Sequence, residues 1–216
     1  MELTLEQLYQ KMQQEMGPSG WWPADSKAEI IIGAIMIQNT NWQNAARAVA
    51  NFRQASEFLP ARIQQLPLEQ IQDLTRPAGF YRNKSRAVQA VFAWLSQYGF
   101  DYQRVVAENG DQLRDQLLAL HGIGEETADV LLTFVFGIPT FVSDKYARTL
   151  FTHLGITGLT DYHSLAKRCR LSAYFDLARA QDFHGLIDEF GKQYLRSPGR
   201  FQDSFLAGDR LVLEYP

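Results

Sequence analysis

The residues of this chain best suited to chemistry are a glycine turn and a single acid about twenty positions after it. The turn is Gly122-Ile123-Gly124, at the start of a helical run, and the acid is Asp144, which follows the apolar Phe141-Val142. Two glycines around one apolar residue allow a sharp turn whose N–H groups can approach an anion, and the next helix adds the positive end of its dipole. Such a turn suits one phosphate. With an acid behind it, the segment indicates an enzyme that works on a nucleic-acid backbone.

The spacing of these residues resembles a known family. The pattern L-x-G-I-G-x-x-T-A followed by P-T-x-x-x-D is similar to the helix-hairpin-helix and catalytic aspartate of the endonuclease III superfamily of DNA glycosylases. Further motifs resemble its bacterial 3-methyladenine DNA glycosylase branch, which lacks an iron–sulfur cluster. These motifs are Trp21-Trp22-Pro23, Ile37-Gln38-Asn39-Thr40, Arg76-Pro77-x-Gly79-Phe80-Tyr81 and Asp144-Lys145-Tyr146. The resemblance extends from about residue 20 to about residue 195.

The pattern of apolar residues predicts an all-α fold. Apolar residues recur at three- and four-residue spacing through most of the chain, glycine and proline interrupt the runs, and no alternating strand pattern is convincing. The resemblance adds a two-lobed endonuclease III-like architecture. It implies a helical barrel over residues 25–136 that carries the hairpin, and a second lobe of residues 1–24 plus 137–216 that carries the acid.

Asp144 is the expected catalytic residue. Cleavage of an N-glycosidic bond builds positive charge on the deoxyribose, which a nearby carboxylate stabilises, and the same carboxylate could activate the attacking water. From spacing alone, a helix N-cap is the more natural role for this aspartate. The hairpin upstream favours catalysis, and one residue can fill both roles.

Glu126 is the main departure from the wider superfamily. Relatives that also cleave the strand place a lysine at this hairpin position and form a Schiff base with the sugar, which a glutamate cannot do. The chain is therefore expected to be a monofunctional glycosylase that releases a base and leaves the strand intact. Lys145, the residue after Asp144, is interpreted as a phosphate contact or an exposed charge.

A base pocket is expected from four residues near the start of the chain and one near its end: Trp21, Trp22, Pro23, Trp42 and Lys192. A flipped base is held by stacking, and a base alkylated on a ring nitrogen gains cation–π attraction from tryptophan. Burial in the core is the alternative for the tryptophans, and for Trp42 the two interpretations are about even. For Lys192 the alternative is a solvated helix lysine. Leu186 stands where a relative carries another lysine.

Gln38 and Phe80 resemble the residues that relatives insert into the duplex once the base has left. One would fill the gap and the other would wedge against the orphaned partner base. The alternative for Gln38 is a polar capping or loop residue. Phe80 follows the turn Pro77-Ala78-Gly79, and folding back onto the core is an equally good interpretation of it.

Composition limits cofactors and partners. The only cysteine, Cys169, is expected to be a buried helical residue, so the chain cannot supply four thiolates to an iron–sulfur cluster, and no metal or other cofactor is expected. A net charge of −3 and a pI near 5.8 count mildly against DNA binding. Local basic clusters offset this: Arg76 with Arg82, Lys84 and Arg86; Lys145 with Arg148; Lys167 with Arg168 and Arg170; and Lys192 with Arg196 and Arg200.

The favoured function is a monofunctional base-excision glycosylase that acts on alkylated purines such as 3-methyladenine in double-stranded DNA. Two alternatives stay open: a glycosylase with abasic-site lyase activity on oxidised pyrimidines, and a helix-hairpin-helix protein that binds DNA without catalysis. The chain has no apolar run of about 18 residues and no signal-peptide pattern at its start. We expect a cytoplasmic monomer with no membrane contact and no obligate protein partner.

Overall fold

The computed structural model describes residues 1–213, and residues 214–216, the end of the expected second lobe, lie outside the described part. The all-α prediction is confirmed. The helices are α1 (Leu5–Met16), α2 (Lys27–Met36), α3 (Trp42–Ser56), α4 (Pro60–Gln65), α5 (Leu68–Thr75), α6 (Tyr81–Ser96), α7 (Tyr102–Asn109), α8 (Leu113–Leu118), α9 (Glu125–Phe134), α10 (Lys145–His153), α11 (Tyr162–Ala166) and α12 (Leu177–Tyr194). Short 3₁₀ turns occupy Arg76–Ala78, Gly110–Gln112 and Arg200–Asp203. No helix within residues 1–213 is both long and apolar enough to span a bilayer.

Within residues 1–213, periodicity did not indicate a two-residue parallel ladder. Strand β1 (Glu2–Leu3) pairs with β2 (Arg210–Leu211), and the amino group of Met1 lies 2.9 Å from Asp209 Oδ1. Two residues are too few to show an alternating pattern, and the partners are separated by nearly the whole chain.

The chain divides into two compact units. The first, here called the split unit, combines Met1–Pro23 with the chain from Ile138 onward. The second, the central unit, is Ala24–Gly137. In the split unit, the apolar face of α1 packs into an aromatic core, which includes Leu8, Met12, Phe151, Phe183 and Phe190.

The core of the central unit is organised around α2. Every residue from Ala28 to Met36 is buried, which is typical of a helix that is apolar on all sides and enclosed by its neighbours. The helices in contact with it are α3, α6 and α9. The hairpin helix α9 thus packs directly on the central core.

Lys84 corrects the prediction of a basic surface cluster. Its side chain is only 2% exposed, and its Nζ donates hydrogen bonds to the carbonyls of Met36 (2.9 Å) and Ala78 (2.8 Å). These carbonyls end α2 and the first 3₁₀ turn, where a cation is favourable. Burial lowers the pKa of Lys84 to about 8. It is an internal brace rather than a DNA-facing charge.

Candidate active site

Asp144 is the N-cap of α10, as the capping interpretation predicted. Its Oδ1 accepts a hydrogen bond from the Ala147 N–H at 2.7 Å, and its side chain is half-buried. Burial raises the pKa of the Asp144 carboxyl to about 6. The hydrogen bond from Ala147 lowers the pKa, and the negative charge of Asp188 on α12 raises it further. The group is a carboxylate at neutral pH that is held at an energetic cost, as expected of a functional acid.

A charge network on α12 lies beside this acid. Lys192 Nζ is 2.6 Å from Asp188 Oδ2 and 2.7 Å from Glu189 Oε1. Burial lowers the pKa of Lys192, but hydrogen bonds to the two carboxylates outweigh that effect, so the net shift is upward. Lys192 is therefore neither a freely solvated lysine nor a free basic contact. Two acids therefore surround Lys192, and Arg196 also interacts electrostatically with both of them.

Trp21 is held against the same helix. Its Nε1 donates to Glu189 Oε1 at 3.3 Å, and Lys192 Nζ lies 5.2 Å from the centre of its ring. The rings of Trp22 and His184 meet it edge-on, at 5.0 and 5.5 Å between centroids. Trp21 and Trp22 are both half-buried in the loop before α2, and Pro23 is exposed. The structure thus brings the tryptophan pair together with Lys192.

Two glycines of α12 make this arrangement possible, and the sequence interpretation did not single them out. A β-carbon at Gly185 would lie 2.6 Å from Trp21 Cβ, and one at Gly191 would overlap the ring of Tyr146. Tyr146, on α10, also accepts a hydrogen bond from Arg196 Nε at 2.9 Å. Gly185 and Gly191 therefore set how closely the tryptophan loop and α10 approach α12. The sequence feature that could have identified both residues is a glycine inside a helical run.

The helix-hairpin-helix lies in the central unit and consists of α8, the glycine turn and α9. Gly122 has φ +77°, and a β-carbon there would lie 2.7 Å from Ala87 Cβ, so both conformation and packing require glycine. Gly124 has an ordinary φ of −92°, and a β-carbon would meet no atom within 4 Å. The backbone conformation of the turn therefore requires glycine at position 122 but not at position 124. Gly124 begins α9 with no side-chain cap and leaves open space in front of the helix.

An ion pair fixes the two helices of the hairpin. Arg114 on α8 donates to both carboxylate oxygens of Asp129 on α9, at 2.7 and 3.1 Å, and Asp129 is buried. Arg114 also lies 3.6 Å from Glu125. Glu126, in the first turn of α9, is exposed. Neither Arg114 nor Asp129 was singled out from the sequence.

Gln38 is tied to the hairpin. Its Nε2 donates to the Gly122 carbonyl at 3.1 Å and to Thr127 Oγ1 at 2.9 Å. It lies in the turn after α2, as the sequence indicated. Ile123, between the two glycines, is buried and anchors the turn in the core.

Two aromatic side chains of the central unit are exposed. Phe80 is 68% exposed and has a left-handed backbone, φ +46°, where it precedes α6, so it does not fold back onto the core. Trp42, the first residue of α3, is 49% exposed, and its burial in the core is likewise excluded. An exposed phenylalanine in a conformation that costs about 1–3 kcal/mol is unusual without a ligand.

Lys145, Leu186 and Cys169 all belong to the split unit. Lys145 is the first residue of α10 and is exposed. Leu186 is buried in the core of the split unit. Cys169 is buried as predicted but is not helical, because α11 ends three residues earlier at Ala166. Within residues 1–213, no group of three or more His, Cys, Asp or Glu side chains is placed to hold a metal ion.

Comparison with known proteins decides the family. Residues 32–172, well over half of the chain, match the family model described as HhH-GPD superfamily base excision DNA repair protein. The chain belongs to this superfamily. It is accordingly a base-excision DNA glycosylase with an endonuclease III-like fold. The helix-hairpin-helix of this HhH-GPD protein is the α8–α9 element, and Asp144 follows it at the start of α10.

Similar proteins agree with this assignment. A Methanocaldococcus jannaschii protein with the provisional name of DNA repair glycosylase is 29% identical over 192 residues, which cover 88% of this chain and 87% of the relative. The endonuclease III of Sulfolobus acidocaldarius is 28% identical over 172 residues, covering 77% and 73%. Among solved structures, the 3-methyladenine DNA glycosylase MagIII of H. pylori, bound to 1,N6-ethenoadenine, superposes with a TM-score of 0.69 at 26% identity, covering 88% of this chain and 98% of that chain. A trapped endonuclease III–DNA covalent intermediate, at 20% identity, shares the fold with a TM-score of 0.68, covering 88% and 86%.

Proposed function

We propose that this HhH-GPD protein is a monofunctional glycosylase that hydrolyses the N-glycosidic bond of alkylated purines in double-stranded DNA, with 3-methyladenine as the principal substrate. The observation that carries the proposal is the group formed by Trp21, Asp188, Glu189 and Lys192, here called the Trp21 cluster. There an aromatic face lies beside a lysine whose charge is more than balanced by Asp188 and Glu189.

The charge of this cluster favours a cationic base. A purine alkylated on a ring nitrogen is positively charged, so a tryptophan face adds roughly 0.5–2 kcal/mol of cation–π attraction to stacking. An uncompensated lysine beside that face would repel the base, but here Asp188 and Glu189 neutralise Lys192. The 26% identical MagIII structure is described as a 3-methyladenine DNA glycosylase, which supports the same substrate class, although the 1,N6-ethenoadenine bound in it is a neutral base.

Asp144 would supply the chemistry. A cationic purine leaves without a strong general acid, because the glycosidic bond breaks toward a neutral base. The remaining task is to stabilise the positive sugar and to deprotonate the attacking water, and a carboxylate can do both. A pKa of about 6 makes Asp144 a stronger base than an ordinary aspartate and leaves it ionised at pH 7.

Glu126 supports the monofunctional assignment. Strand cleavage through a Schiff base needs an amine on the hairpin, and the first turn of α9 offers Glu125 and Glu126 instead. Lys192 is held in ion pairs with two carboxylates, which favour its protonated, non-nucleophilic form. The chain should therefore leave an intact abasic site.

The proposal is tested by measuring free base and borohydride-trapped adduct after incubation with duplex DNA that contains 3-methyladenine. We expect release of 3-methyladenine by the wild type, loss of release in Asp144→Asn, and no adduct in either. Asp101→Asn is the matched control, because Asp101 also caps a helix through its carboxylate but belongs to the central unit rather than to the split unit that contains Asp144.

Other outcomes are equally informative. An adduct with DNA containing oxidised pyrimidines would replace the proposal with a bifunctional glycosylase. Undiminished release by Asp144→Asn would reduce Asp144 to a helix cap. Absence of release from alkylated DNA by the wild type would reject the substrate class.

A further inference from the structure

Lys84 connects two loops that carry proposed DNA contacts. Its Nζ donates to the carbonyl of Met36, two residues before Gln38, and to that of Ala78, two residues before Phe80. Both bonds are buried, at 2.9 and 2.8 Å. One ammonium group thus fixes the points from which both loops leave the core.

The same helix supports the hairpin. Ala87, one turn after Lys84 on α6, is the residue whose Cβ excludes a β-carbon at Gly122. The Gly122 carbonyl in turn accepts the hydrogen bond from Gln38 Nε2. The Gln38 loop, the Phe80 turn and the glycine turn are therefore joined in one network that starts from a single face of α6.

A lysine at this buried position destabilises the fold relative to an apolar residue. Burial of an ammonium group disfavours its charged form, and an apolar side chain would fill the same space without that cost. An apolar side chain could not, however, hold two carbonyls from separate segments. Lys84 therefore fixes the positions of two segments although its burial lowers the stability of the fold.

We propose that Lys84 is a positioning residue of the glycosylase reaction, which sets the separation of Gln38 and Phe80 so that both can occupy the duplex where the target base has left. The inference rests on the proposed function, because it assumes that these two side chains enter DNA. Phe80 supports it directly: the residue is exposed and is held in a left-handed backbone at the first position after Gly79. Two loops that act as a unit need a common anchor, and Lys84 is the side chain bonded to both.

The experiment compares Lys84→Met with Phe80→Ala and with the double variant. We expect Lys84→Met to lower single-turnover base release about tenfold or more, because small misplacements of positioning groups have large effects on rate. Affinity for undamaged duplex should change by less than about twofold, since phosphate contacts dominate that binding. The double variant should be about as slow as the slower single variant, because the second change removes an interaction already lost.

Ile63→Ala on α4 is the stability control. Ile63 is buried in the central unit on a helix that carries neither loop, so we expect its truncation to destabilise the fold. At a temperature where both variants are folded, Ile63→Ala should release base at the wild-type rate. Equal losses in the two variants would overturn the inference, as would a double variant whose loss is the product of the single losses.

Two further measurements apply if Lys84→Met does not fold. Lys84→Gln retains two N–H donors on a side chain one atom shorter, so it should fold and be partly active. In the wild-type background, the effects of Gln38→Ala and Phe80→Ala on the free energy of activation for base release should be less than additive. In the Lys84→Gln background, these two effects should become additive. Additivity in the wild type would overturn the inference even though the proposed function stands. Absence of base release by the wild type would instead reject the proposed function.

Discussion

Trp21 packs directly against the backbone of Gly185, in the space that a side chain at position 185 would fill. A β-carbon on Gly185 would lie 2.6 Å from Trp21 Cβ, well inside any permitted separation. The indole is consequently set against the backbone of α12, where Glu189 and Lys192 reach it from the following turns. The position of the proposed stacking surface is therefore decided by a residue that has no functional group.

Gly185→Ala should reduce base release although alanine favours a helix. On propensity alone, the change would stabilise α12 by up to about 1 kcal/mol. The clash must instead displace the Trp21 loop, so we expect a loss of about tenfold or more in single-turnover release, together with altered tryptophan fluorescence. Gln193→Ala, an exposed change on the same helix, should leave both unchanged. Wild-type activity in Gly185→Ala would show that the contact does not position Trp21.

The rate of base release should rise with pH and level off above an apparent pKa near 6, the pKa that burial gives Asp144. Asp144 must be ionised to stabilise the sugar, and a cationic purine needs no proton on leaving, so a falling limb at high pH is not expected from this residue. Single-turnover rates between pH 5 and 8, corrected for spontaneous base loss, provide the measurement. A flat profile would contradict the proposed role.

Asp144→Asn should make the protein more stable at neutral pH. Because its folded pKa of about 6 exceeds the ordinary 3.8, the folded state binds more protons than the unfolded state between those values. Wild-type stability from this group is therefore present below about pH 4 and is lost as pH rises through about 6. Asparagine caps a helix equally well, so the variant should gain about 1–3 kcal/mol at pH 7 and nothing at pH 4. Denaturant unfolding at the two pH values tests this, with Asp101→Asn as the control.

The Arg114–Asp129 pair should respond unequally to loss of its two partners. Asp129 is 3% exposed in its side chain whereas Arg114 is 35% exposed. Arg114→Met leaves a buried carboxylate without its arginine and should cost about 2–4 kcal/mol, whereas Asp129→Asn leaves a cation that water can reach and should cost less. Equal losses in denaturant unfolding would mean that burial of the carboxylate does not control the energetics.

Local signals in the sequence predicted the all-α fold, the hairpin and the helix cap at the candidate site. Glycine spacing located the hairpin, and an aspartate before a helical run located the cap at Asp144, because both features depend on a few adjacent residues. The prediction that Lys84 lies at the surface was wrong, because its environment depends on residues that are distant in the sequence. A lysine is normally a surface residue, and only the tertiary fold brings the carbonyls of Met36 and Ala78 to it.

Residues whose role is purely spatial were also missed. Gly185 differs from any helix glycine only because the Trp21 loop, more than 160 positions earlier, crosses it. The sequence left the exposure of Phe80 and Trp42 open, since a large aromatic is compatible with either environment. Such features depend on contacts between distant segments, which neither periodicity nor spacing encodes.

The split unit has a consequence for biosynthesis. Helix α1 is synthesised before the whole central unit, but it packs against α12, which ends at Tyr194. At 5–20 residues per second, its apolar face waits on the order of 10–30 seconds for its partner. Meanwhile the central unit, continuous from Ala24 to Gly137, can fold as soon as it has emerged. The helix-hairpin-helix can thus form before the split unit that carries Asp144 is complete, and until then the apolar face of α1 stays exposed.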